Sequence, residues 1–147
     1  MMSRPLHTSH MFQRLKSLFA AKPPVQYQHP AFGVLTLDSG VWGGSTQHGG
    51  REIRFYVGGT ETAPDAGLLQ RVRDLVARLP EAERAALDFI RSQSPAVTGE
   101  FTFYSLDFLW EDKPHIFAME FTLAGDDDGI WRVEFEHEQP KFVGRDD

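Results

Sequence analysis

The chain has 147 residues, 41% of them hydrophobic and 24% charged, which is one domain's worth of sequence with enough apolar mass for a single core. It has no cysteine, which excludes disulfides, thiolate catalysis and Cys-based zinc or iron–sulfur sites, and fits a reducing compartment. The net charge of -6 is unevenly held: residues 1–60 carry six Lys/Arg against two Asp/Glu, and residues 100–147 carry four against thirteen. The acidic part repels phosphate backbones, so nucleic acid is not an expected partner, whereas a basic protein or a cation is drawn to it.

Residues 1–8 read as a disordered tail. From Ser9, "SHMFQRLKSLFAAKPP" sets Met11, Phe12, Leu15, Leu18 and Phe19 on one stripe of an amphipathic helix that ends at Pro23-Pro24. Arg14, Lys16 and Lys22 interrupt this apolar stretch, so it reads neither as a signal peptide nor as a membrane span, and a cytoplasmic location is expected. Residues 1–28 are therefore taken as tail and helix, and residues 29–147 as one domain.

That domain opens with a three-stranded meander. Phe32–Asp38 alternates, Ser39-Gly40 turns, Val41–Gln47 returns, Gly49-Gly50 turns, and Glu52–Val57 alternates again. Gly43-Gly44 within the middle strand predicts a bulge or a close backbone approach. Two amphipathic helices follow, "APDAGLLQRVRDLVARLP" with Pro64 in its first turn and "PEAERAALDFIRSQ" opened by Pro80. A second meander then spans Glu100–Trp110, His115–Leu123, Ile130–His137 and a short Lys141–Val143. Its turns fall at 111–114, 125–129 and 138–140. Three strands, two helices and three to four strands give an α+β domain. Its architecture is a single antiparallel sheet built from two meanders, with the helices on one face.

Catalytic signatures are lacking. The glycine pairs do not lead into a Gly-Lys-Ser/Thr helix start, and no Gly-x-Ser-x-Gly elbow occurs. The six histidines show no helical or strand spacing for zinc outside His7/His10 in the tail. His29, before Pro30, reads as a turn residue. Trp42, Tyr56 and Trp110 could line a groove, although sheet cores use the same residues. Asp126, Asp127 and Asp128, followed by Gly129, read as a hairpin tip. In Glu136-His137-Glu138 the strand period sends His137 away from both glutamates. What remains is a polar sheet face carrying Glu120, Glu134 and Glu136, rimmed by Asp126–Asp128. This face is the candidate partner-binding surface, with no catalytic, cofactor or metal residue assigned. The competing reading gives the same carboxylates to a divalent cation, as a cation-binding domain or a metal-assisted enzyme, with Glu120 as third ligand beside Glu134 and Glu136.

The order of "HPAFGVL", "VWGG", "APDAGLLQRVRDLVARL" and "DDDGIWRVEFEHEQPKFVGRDD" over residues 29–147 resembles small bacterial domains of unknown function. Some of these are grouped by genomic context with immunity proteins that neutralise polymorphic toxins. The resemblance implies an α+β domain without enzymatic activity that acts by tight contact with a protein, and it supplies no functional residues. The expected function is accordingly a non-enzymatic protein-binding module, immunity-like, meeting a basic protein through its acidic sheet face.

Overall fold

The computed structural model describes residues 23–146, so the amphipathic helix expected over residues 9–19 lies outside the described residues. The strands are β1 (Gln26–His29), β2 (Gly33–Asp38), β3 (Val41–His48), β4 (Arg51–Val57), β5 (Phe101–Phe108), β6 (Ile116–Leu123), β7 (Asp126–Glu136) and β8 (Gln139–Asp146). Two helices, α1 (Ala66–Val76) and α2 (Leu79–Gln93), separate β4 from β5. All eight strands form one sheet in chain order. Every neighbouring pair is antiparallel except β4 and β5, which run parallel over Phe55–Val57 and Leu106–Phe108. The expected all-antiparallel sheet is corrected there: the helical segment carries the chain over the sheet, so β5 starts from the same end as β4.

The α+β reading holds, with more strand than expected. The first meander has four strands, because Gln26–His29 pairs with β2 from Gly33 to Thr36. Its polar composition hid it. His29 works as a turn residue, its Nδ1 accepting hydrogen bonds from the backbone N–H groups of Ala31 and Phe32. The last strand runs well beyond Lys141–Val143, from Gln139 to Asp146. Pro140 sits beside a register shift, where its missing N–H is tolerated.

Helix α1 is capped by Asp65, whose carboxylate accepts from the Leu68 N–H. Pro64 therefore precedes the helix and is not in its first turn; it bridges to Gly59. Pro80 does lie in the first turn of α2. Leu68, Leu69, Val72, Leu75 and Val76 of α1, with Leu79, Ala82, Ala86 and Ile90 of α2, are buried in the core cluster. Its sheet residues include Ile53, Phe55, Val57, Leu106, Met119 and Val133. Phe108, Phe117 and Phe135 stack in series across three strands, with centroids 5.0 and 4.6 Å apart. Trp42 is fully buried here, its indole N–H donating to the Thr60 carbonyl, so it lines no groove. The Gly43-Gly44 pair makes a close approach and not a bulge, since a Cβ on Gly44 would lie 2.8 Å from the Phe55 ring.

Candidate functional site

With both helices on one side, the sheet's other face is covered by no helix or strand among the described residues. Strand alternation puts Val34, Thr36 and Asp38 of β2, Ser45 of β3, and Glu52, Arg54 and Tyr56 of β4 on this face. Together with Tyr104 and Asp107 of β5 they line a groove of about 530 Å³. Two local features shape it. Gly43 leaves room for the Tyr56 ring, which lies 3.2 Å from where a Cβ would stand. The β5–β6 register shifts between Phe103 and Ser105, which turns Tyr104 toward the groove. The Arg54 guanidinium lies over the Tyr104 ring, 5.6 Å from its centroid.

Beside the groove the same face buries a cluster of charges. Arg132 Nη1 donates to Glu120 Oε2 at 2.9 Å and to Asp107 Oδ2 at 3.1 Å. Ser105 Oγ donates to Glu120 Oε1 at 3.0 Å. Ser105, Asp107 and Glu120 are buried, and the Arg132 guanidinium sits 5.7 Å from the Trp110 ring centroid. Trp110 therefore flanks the buried cluster and is not among the residues lining the groove.

The expected acidic face is real in register but not in exposure. Glu120 pairs with Arg132, and Ala118 and Ile116 pair with Glu134 and Glu136, so the three glutamates share a side. Glu120, however, is fully buried and bonded to Arg132, so it presents nothing to a partner. Glu120, expected as a third metal ligand beside Glu134 and Glu136, is bonded to the Arg132 guanidinium, which lies between it and Asp107. Glu134 and Glu136 remain half-exposed.

The aspartates are not a hairpin tip. The turn is Ala124-Gly125, and Asp126–Asp128 begin β7. Asp126 takes both Arg145 Nε (2.8 Å) and Nη2 (2.7 Å), and also accepts from the Trp131 indole. The Arg145 guanidinium, helped by that indole, holds the Asp126 carboxyl at about 2, below its ordinary 3.8. Gly129 is needed for clearance, since a Cβ there would lie 2.5 Å from Arg145 Nε. Only Asp127 and Asp128 are exposed.

The separation of His137 from Glu136 also fails, because β7 ends at Glu136. His137 and Glu138 form a two-residue turn with φ of 50° and 66°. This left-handed turn normally selects Asn-Gly; a side chain in that region costs about 1–2 kcal/mol per residue. Glu138 leaves the polar face altogether and pairs with Arg71 and Arg78 on the helical layer. His137 N–H donates to the His115 carbonyl at 3.1 Å, and the two imidazoles stack 4.4 Å apart at 8°. His115 Nε2 lies 3.8 Å from Glu136 Oε2. One nitrogen of each ring and a Glu136 oxygen all fall within 4.8 Å of one another. Sequence spacing missed this pair because His115 and His137 meet only through the β6–β7 register.

Among the described residues, no helix is long and apolar enough to cross a membrane. The chain matches no family model, no curated protein and no solved structure.

Proposed function

We propose that this chain is a non-enzymatic protein-binding module that receives a Lys/Arg-rich segment of a partner protein on the helix-free face of its sheet. The observation that carries this reading is the charge balance of that face. Among the described residues of its strands, Asp38, Glu52, Glu134 and Glu136 are solvent-reachable there, against Arg54 as the cation beside the groove. Carboxylates beside tyrosine faces suit a guanidinium or ammonium group, which pairs with the first and stacks on the second. Arg54 over Tyr104 is an example within the chain. Phe142, 53% exposed and paired with Glu134, adds an apolar contact at the far side of the same face. In the immunity-like form of this proposal, the basic segment belongs to a toxin whose cationic groove the face would fill.

A pull-down from lysate at low and high salt, comparing the wild type with Glu52→Gln/Glu134→Gln, tests the reading. Retention should be strong at low salt, weaken at high salt, and fall in the double variant. An equally neutralised helical layer (Asp74→Asn/Glu81→Gln) should retain the partner. Retention that ignores both salt and the double variant refutes the proposal.

A further inference from the structure

We propose that His115, Glu136 and His137 form a surface site for a divalent transition-metal ion of the zinc class. This site lies where the start of β6 meets the β7–β8 turn, and it shares Glu136 with the protein-binding face but does not rest on that reading. Two imidazoles and one carboxylate make a donor set that zinc takes readily, whereas calcium and magnesium favour oxygen alone.

Three observations support it. The donor atoms already lie within 4.8 Å of one another. A tetrahedral zinc ion with bonds of about 2.0–2.2 Å holds its ligands roughly 3.4 Å apart, so modest side-chain rotation closes the site. Among the described residues no side-chain hydrogen bond ties either imidazole, and the rings stack on each other with Glu136 close to His115. The third observation is the backbone. His137 holds a left-handed conformation in a turn where glycine or asparagine would be easier, and this conformation sets its ring against His115. Glu138 anchors the turn through Arg71 and Arg78, so the ligands stand on a fixed frame. Three protein ligands leave one coordination position for water or for a donor from another molecule.

The test titrates the full chain with zinc chloride alone, followed by calorimetry and by melting temperature. One zinc per chain is expected, with a melting temperature that rises with zinc concentration, while calcium and magnesium give neither heat nor shift. His115→Gln and His137→Asn should each weaken zinc binding about tenfold or more, and Glu136→Gln should weaken it measurably. Asparagine accepts the left-handed backbone, so His137→Asn should keep the fold, which circular dichroism checks. His7→Ala/His10→Ala should bind as the wild type does. The proposal is overturned if the full chain takes up no zinc, or if calcium binds equally well. It is equally overturned if the His115 and His137 variants bind zinc unchanged, or if binding is lost only with His7 and His10.

Discussion

Arg132→Met removes the cation that two buried carboxylates share while keeping the length and apolar stem of the side chain. Glu120 is 0% exposed at its side chain, Asp107 3% and Arg132 11%, so water cannot replace the lost guanidinium without opening the sheet face. Removing one partner from a buried ion pair costs about 3–5 kcal/mol, and here two carboxylates lose the same partner. The expected loss is therefore at the upper part of that range, a fall in melting temperature of roughly 8–20 °C for a chain of this size. Urea denaturation followed by circular dichroism measures it. The triple variant Asp107→Asn/Glu120→Gln/Arg132→Met removes all three charges, and should recover most of the loss, because replacing a whole buried ionic group by neutral residues is often close to neutral. A single variant that costs under about 1 kcal/mol, or a triple variant no more stable than the single, would refute the reasoning.

Three further outcomes follow from the structure. Asp126 has its folded-state carboxyl lowered to about 2 from 3.8, so it contributes stability above the unfolded value that is lost as pH falls through about 2. Asp126→Asn should accordingly flatten the fall in melting temperature between pH 4 and pH 2. Gly44→Ala puts a Cβ 2.8 Å from Phe55 Cζ and 3.1 Å from Leu35 Cγ, both in buried side chains. It should destabilise by about 1–3 kcal/mol by chemical denaturation. Asp65→Ala removes the acceptor for the Leu68 N–H and should cost about 1 kcal/mol by the same assay.

What was legible from sequence follows the strength of local signals. Alternation of Ile53, Phe55 and Val57 against Arg54 and Tyr56 located β4 and its covered face, and the stripe from Leu68 to Val76 located α1, whereas Leu79, read as the end of that stripe, opens α2. Strand β1 carries the polar sequence Gln-Tyr-Gln-His and exists through pairing with β2, which no local pattern announces. The Asp126–Asp128 misreading has a similar cause. Asp-Gly chemistry signals a turn, but Ala124-Gly125 makes it first, and Arg145 from β8 holds Asp126 in the strand. At the candidate face, the period placed Glu120 beside Glu134 and Glu136 correctly. Exposure could not be read, because Glu120 is buried by a bond to a residue on the next strand. His115 and His137 are 22 positions apart in the chain and meet by register alone.

In the proposed function the helix-free face, and no other surface among the described residues, receives a basic segment. Residue-resolved NMR of the full chain titrated with an arginine-rich peptide tests this most directly. Amide shifts should concentrate at Glu52, Arg54, Tyr56, Tyr104 and Glu134, and fade as salt is added. Shifts concentrated instead at Asp74, Glu81 and Asp88 on the helices, or no shifts at low salt, would contradict it.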